Sequence, residues 1–316
     1  MVQIDLRAAA ACCRRIRENV ERVIVGKRGV IQRTIVALMA GGHVLFEDVA
    51  GLGKTMLARA IAVSIGGRFR RIQFTPDLLP TDVTGVTIYN QKTGEFEFRP
   101  GPVFANVLLA DEINRTSPRT QSALLEAMAE GQVTVDGVTY ELPRPFFVLA
   151  TENPVEIEGI YPLPESQLDR FMMKLRIGYP SAEAEREVVR RQLIQHPIET
   201  LEPVTTPHEV LAMQSAVAHC YVDDRIYDYA INIVRGTRES ELVEVGASPR
   251  GSIALIRGAQ ALAVLQGRDF VTPDDVKALA VSCLAHRLIL KSEARVQGIS
   301  PEEIVRDLLE TVPVEV

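Results

Sequence analysis

The chain has 316 residues, 47% of them hydrophobic and 24% charged, with a formal net charge of −6. That length favours two packed units over a single core, and the acidic balance excludes a general electrostatic footprint for nucleic acid while leaving room for a local basic patch. Of the four cysteines, Cys12 and Cys13 are adjacent and Cys220 and Cys283 stand alone, so neither zinc-ligand spacing nor a disulfide framework is present and buried thiols in a reducing compartment are expected.

The small-residue run Ala8 to Cys13 precedes Arg14 and Arg15, the reverse of a secretory signal. No apolar stretch approaches the roughly 20 residues of a membrane helix. A cytoplasmic protein with no transmembrane segment is therefore expected. Next comes an apolar strand over Val44–Phe46, then Gly51-Leu52-Gly53-Lys54-Thr55 and a helix running from Lys54 to a stop at Gly66-Gly67. A strand, a glycine-bearing turn and a Lys-Thr pair opening a helix build a nest of backbone N–H groups for phosphate. Lys54 would reach the β- and γ-phosphates and the Thr55 hydroxyl would complete a Mg²⁺ shell. The full pattern has glycine where Asp48 stands.

Further strands are predicted over Ile72–Phe74, Val107–Ala110 and Phe146–Ala150, alternating with helices as in a parallel α/β sheet covered on both faces. One helix is well punctuated, with Ser117 as N-cap, Pro118 in the first turn, an apolar face of Leu124, Leu125 and Met128, and Gly131 at its end. Two hairpins interrupt the alternation, one turning at Asp136-Gly137 and a looser one over Ile88 to Phe98. They read equally as surface ribbons and as moving, pore-facing elements. Past Tyr179-Pro180-Ser181 strand signals nearly vanish, and Thr206-Pro207, Ser248-Pro249 and Thr272-Pro273 mark helix starts. The expected division is a core over 1–180, with a short N-terminal helical segment, and an all-helical domain over 181–316.

Val107 to Ala110 delivers Asp111 and Glu112 at a strand's carboxyl end, where parallel sheets bind ligands. Asp111 would bind Mg²⁺ and Glu112 would activate an attacking water. An N-cap acid followed by a surface glutamate is the plainer account of the same pair. Asn153 ends another buried strand and could hold that water or the γ-phosphate, although Asn153-Pro154 is also a good turn. His43, just before the first strand, is a candidate contact for a base. The other histidines lack metal-type spacing.

The string DEINRTSPRTQSALLEAMAEGQVTVDG from Asp111, QFTPDLLPTDVTG before it, and ATENP and YPLPESQLDRFMMK after it closely resemble the MoxR family of AAA+ ATPases. The likeness runs from about Val23 to beyond Val276. It implies an AAA+ P-loop NTPase core with a parallel sheet and inserted β-hairpins, followed by a small all-helical lid, with ATP and Mg²⁺ between them. Asp111 and Glu112 match the Walker B pair and Asn153 the first sensor. Val25 and Gly26 match the loop flanking the adenine, although Lys27 stands where glutamine is frequent. Ala50, Gly51, Leu52, Gly53, Lys54, Thr55 and Met56 match the nucleotide-binding loop, with Ala50 where proline is common. Arg170 is placed like the arginine finger that enters a neighbouring subunit's site, and Arg250 like the second-sensor arginine of the lid.

An intersubunit role for Arg115 competes with a surface salt bridge, and Arg170 with a local pair to Asp169. The resemblance further implies an ATPase forming a homo-oligomeric, hexameric ring that remodels client proteins, often metalloenzymes, beside a von Willebrand factor A-domain partner. Three rivals are a magnesium-chelatase-type motor subunit, a nucleic-acid translocase reading DNA with the hairpins, and a nucleotide-gated scaffold. The string from Asp111, the acidic composition and the intact carboxylates argue against them in turn.

Overall fold

The computed structural model describes residues 6–154 and 160–314. Helices α1 (Leu6–Glu21) and α2 (Arg28–Met39) precede β1 (Val44–Glu47), whose carboxyl end feeds a tight loop and α3 (Lys54–Ser64). There follow β2 (Phe69–Gln73), the short α4 (Pro80–Thr84) and the hairpin β3 (Gly85–Asn90) with β4 (Glu95–Pro100). Then come β5 (Val107–Asp111), a 3-10 turn over Ile113–Arg115, α5 (Pro118–Glu130) and the hairpin β6 (Gln132–Val135) with β7 (Val138–Glu141). The sheet is completed by β8 (Phe147–Glu152), the one-turn α6 (Glu165–Leu168) and β9 (Met173–Leu175). From α7 (Ala182–Ile194) the chain is helical, through α8 (Pro207–Val217), α9 (Asp224–Glu239), α10 (Pro249–Leu265), α11 (Pro273–Leu284), α12 (Ser292–Val296) and α13 (Pro301–Thr311). A two-stranded ribbon of β10 (Val243–Val245) and β11 (Ile289–Leu290) ties it together.

The strands pair in the order β2-β5-β8-β1-β9, all parallel. Their side chains alternate between two cores, as the two-residue period of a strand dictates. Val44, Phe46, Val107, Leu109, Phe147 and Leu149 face one core; Leu45, Leu108, Ala110, Val148 and Ala150 face the other. Burial on both faces is why β1, β5 and β8 read as unbroken apolar runs. Edge strand β2 differs: Ile72 is buried while Arg70, Arg71 and Gln73 are exposed, so only its second half looks like a strand in sequence. Charged residues on an unpaired edge also block pairing with another chain. Strand β9 was not predicted; three residues are too few to display a period.

The predicted N-cap residues Thr206, Ser248 and Thr272 begin α8, α10 and α11. Ser117 holds the N-cap position of α5, but its hydroxyl turns to that of Thr120 instead of a backbone N–H. The first core continues from α1 through the sheet face into the helical part, so no solvent layer separates the two. At that seam Gly258 of α10 lets the backbone close in: a Cβ there would lie 3.0 Å from Leu279 Cδ1 and 3.2 Å from Met172 Cε. The hairpins also join. Phe98 of β4 stacks on Tyr140 of β7, with centroids 4.0 Å apart at 16°, making the ribbons one body with Tyr89 and Phe96 exposed at its far end.

Candidate active site

All parallel strands end on one rim, and β8 lies between β1 and β5. With strands roughly 4.8 Å apart, the loop after β1 and the carboxylates after β5 stand roughly 10 Å from each other, room for phosphates and a cation. In that loop Gly51 and Gly53 both take φ +87°, left-handed backbone that a side chain would strain, and the turn aims the N-terminus of α3 into the gap. Lys54 is buried. Its ammonium donates to Asp48 O at 2.6 Å and Val49 O at 3.2 Å. Burial lowers its pKa, opposed by the charges of Asp111, Asp48 and Glu112; those interactions place both β5 carboxylates within electrostatic reach of the lysine.

Asp111 ends β5 and Glu112 follows in left-handed backbone at φ +56°, costing on the order of 1 kcal/mol for a residue with a side chain. Thr151 of β8 explains how the pair is held. Its hydroxyl donates to Asp111 Oδ1 at 2.7 Å and accepts the Glu112 N–H at 2.9 Å. From β2, Arg71 donates to Asp111 Oδ2 at 2.7 Å, and the Gln73 amide donates to Glu112 Oε2 at 2.6 Å. Arg115 pairs with the same Glu112 oxygen at 3.0 Å, so the salt-bridge reading of Arg115 describes this arrangement. Asn153 follows directly on β8, on the same rim.

Asp48, where the phosphate-loop pattern has glycine, has its own task. Its carboxylate accepts the Ile177 N–H and, at 3.3 Å, the Gly178 N–H, fastening the loop to the segment after β9. Beneath it Glu47 is paired with Lys174 and Arg176. Burial pushes its carboxyl up, but the two cations outweigh burial and the pKa falls. Neighbouring Glu152 is raised by burial, with Glu47 adding to and Lys174 opposing the shift.

Beside the loop lies a hollow of about 160 Å³ lined by Val25, Gly51, Leu52, Gly53, Met56, Val188 and His196, among others. It is smaller than the roughly 300–1,000 Å³ of clefts that enclose a drug-sized ligand; it suits a base, with phosphates on the open loop. Gly26, next to Val25, turns at φ +73°, and Ala50 and Thr55 flank the loop's glycines.

One expectation is corrected, and two arginines are located. His43 does not reach this hollow: it lies at the amino end of β1, buried, its Nδ1 accepting from Val148 N and its Nε2 facing Met128 O. Arg250 does not face the phosphate loop. It lines a separate hollow with Gly41, Gly42, His43, Arg170, Arg257 and Arg287, at the amino rim of the sheet. The hollow beside the phosphate loop is instead walled in part by α7 and the turn after it. Finally, Asp169 does not pair with Arg170, whose guanidinium donates to Leu125 O at 2.6 Å. Asp169 accepts from Ser248 Oγ and from Arg287 Nε at 2.8 Å, with Arg250 Nε 4.0 Å away.

Residues 43–173 match the family described as the ATPase family associated with various cellular activities (AAA), and residues 235–308 match the AAA lid domain. The chain is 58% identical to the uncharacterized protein YeaC of Bacillus subtilis (strain 168), over 95% of this chain and 93% of that one. It is 44% identical to Chaperone MoxR1 of Mycobacterium tuberculosis, over 93% of this chain and 80% of that one. The chain belongs to the MoxR family of AAA+ ATPases. A crystal structure from Cytophaga hutchinsonii, whose ATPase assignment is itself provisional, superposes with a TM-score of 0.92 at 41% identity, covering 98% of this chain and 96% of that one.

In this MoxR-family chain, sequence reasoning missed Arg71, Gln73, Thr151, His196 and Arg287. A larger hollow of about 590 Å³, around Tyr221, Arg225 and Phe270, lies on the helical part and holds none of the phosphate-loop residues. Among the described residues no helix is long and apolar enough to cross a membrane, and no group of three or more His, Cys, Asp or Glu could cage a metal. Thr55 and Asp111 offer two hard oxygen donors, which fits Mg²⁺ shared with phosphates and water better than a cation needing a full protein cage.

Proposed function

We propose that this chain hydrolyses ATP and uses the cycle to remodel or activate a protein partner, working in a ring of like subunits. The reading is carried by the gathering of Lys54, Thr55, Asp111, Glu112 and Asn153 on one rim, with the Val25–Met56 hollow beside them. The adenine lies in that hollow and the triphosphate on the N-terminus of α3. Lys54 leaves the carbonyls of Asp48 and Val49 for the β- and γ-phosphates. Thr55 and Asp111 would hold Mg²⁺, which would supply neutralisation of charge on the transferring phosphoryl group. Glu112, released from Gln73 and Arg115, takes a proton from the attacking water, and Asn153 orients that water.

Arg170 and Arg250 sit on the opposite rim from their own phosphate loop, so they serve a nucleotide held by the next subunit. An arginine supplied this way is worth roughly 10³–10⁵ in rate in GTPases, and isolated subunits are accordingly slow. We take the ring to be a hexamer, in the cytoplasm, with a core over 1–180 and a lid over 181–316. Its clients are proteins, metalloenzymes among them, reached with a von Willebrand factor A-domain partner. The test combines two variants. Lys54→Ala is expected to abolish ATP binding, and Glu112→Gln to keep binding but stop turnover; equal turnover by wild type and Glu112→Gln would sink the assignment. Affinity capture with ATP-loaded Glu112→Gln is expected to retain a von Willebrand A-domain protein, and recovery of nucleic acid instead would overturn the remodelling role.

A further inference from the structure

We propose that Arg71 is a built-in competitor for the metal: its guanidinium holds the outward oxygen of Asp111, and it must swing away before that oxygen is available to a divalent cation. The inference rests on reading the phosphate loop and Asp111 as a Mg²⁺–nucleotide site.

Registry puts Arg71 opposite Leu109 and Gln73 opposite Asp111, so Arg71 is the diagonal neighbour of Asp111 and its long side chain spans that offset. Asp111 Oδ1 is turned inward and engaged by Thr151, leaving Oδ2 as the outward oxygen. Arg71 places both Nη2, at 2.7 Å, and Nε, at 3.1 Å, on that one oxygen. The same Nη2 donates to Gln73 Oε1 at 2.7 Å, and this fixes the amide so that its NH₂ faces Glu112. One side chain thereby restrains both carboxylates of the site.

Protection of the sheet edge alone does not require this placement, because exposed Arg70 already supplies a charge on β2. The Arg71 side chain is 48% exposed, so the pair belongs to the weak, solvent-screened class. Weakness suits a competitor: a divalent cation with a triphosphate displaces it easily, and it closes again when they leave. Once Arg71 lets go, Gln73 loses the donor that fixed its amide, and its hold on Glu112 loosens while Arg115 keeps the same carboxylate oxygen.

The experiment measures equilibrium binding of a fluorescent ATP analogue to the full chain, in EDTA and in saturating Mg²⁺, and takes the ratio of affinities. Arg71→Ala and Arg71→Gln are expected to raise that ratio about two- to fivefold. In an Asp111→Asn background the increase is expected to vanish, and Gln73→Ala alone is expected to leave the ratio at the wild-type value. A ratio that is unchanged or lower in both Arg71 variants overturns the competitor role, as does an increase that survives Asp111→Asn. Wild-type chain that binds no analogue under either condition would overturn the nucleotide-site reading instead.

Discussion

Arg287 is buried at the joint between core and helical part, and its replacement by methionine tests how that joint is held. Its guanidinium donates to five oxygens: Asp169 Oδ1 at 2.8 Å, Asp169 O at 3.1 Å, Phe171 O at 2.7 Å, Met172 O at 3.3 Å, and Cys283 O. Every N–H an arginine carries is thereby used. Breaking a buried ion pair from one side costs about 3–5 kcal/mol. Asp169 keeps the Ser248 hydroxyl and has Arg250 nearby, so the lower end applies, with about 1 kcal/mol more for carbonyls left to find water. The total of about 4 kcal/mol is a large part of the roughly 5–15 kcal/mol available to a folded domain. For a chain of 316 residues it lowers Tm by about 6 °C. Thermal unfolding followed by circular dichroism measures it. Asp169→Asn, which keeps an acceptor but removes the charge, is expected to show at least about 1 kcal/mol of coupling with Arg287→Met. Additive losses, or a Tm change under about 2 °C for Arg287→Met, would refute the buried network.

Arg170→Ala and Arg250→Ala should each be inactive alone but regain turnover when mixed with Glu112→Gln subunits, because each then supplies the part the other lacks; ATPase assays of mixed rings that show no rescue would leave both arginines structural. Burial lowers the pKa of His43 to about 4, against an ordinary 6.5, with the Met128 carbonyl opposing weakly. The unfolded chain therefore binds the proton first, and stability is full above pH 6.5 and falls by about 3 kcal/mol as pH drops to about 4. His43→Gln, which can keep both hydrogen bonds, is expected to flatten that part of the acid limb in urea titrations across pH; an unaltered slope would count against it. Asp48→Gly restores the usual phosphate-loop glycine but frees Ile177 and Gly178, so we expect ATP affinity within about threefold of wild type and a Tm lower by roughly 2–4 °C; an unchanged Tm would show that those two N–H groups need no partner.

What was legible in the sequence is what is local in the chain. Gly51 to Thr55 carries its geometry within five residues, and Asp111-Glu112 announces itself because an unbroken apolar run stops there. Asp136-Gly137 forms its hairpin turn with φ +50° and +80°, from a pair whose backbone preference is intrinsic. The missed residues act across distance. Gln73 meets Glu112 39 positions away and Arg287 meets Asp169 118 positions away, and neither differs in type from an ordinary surface residue. Thr151 reads as one more strand residue because only its hydroxyl, wedged between Asp111 at the end of β5 and Glu112 just past it, reveals its part. The rim that Arg250 reaches was illegible for a related reason: its Ser-Pro-Arg helix start is visible in sequence, but the direction of α10 is set by packing on α1, α2, α9 and α11.

The two rims have to communicate if hydrolysis on one is to be felt at the other, and the contacts supply a physical route. Residues 169–178 run from the Arg287 joint at the amino rim, through β9, to Ile177 and Gly178 in the grasp of Asp48 beside the phosphate loop. Between those ends β9 is bonded to β1 along Val44–Phe46, and Lys174 and Arg176 are pinned to Glu47. A short strand fixed at both ends and along one side moves as a rod. In the proposed cycle, a shift of the loop on binding phosphate is expected to reach Asp169 along this segment, and through Arg287 and Ser248 the start of α10, where Arg250 lies; a Tm and ATP affinity that respond independently to Asp48→Gly and Arg287→Met would count against it. The aspartate that departs from the phosphate-loop pattern is one of the two fastenings on which this route depends.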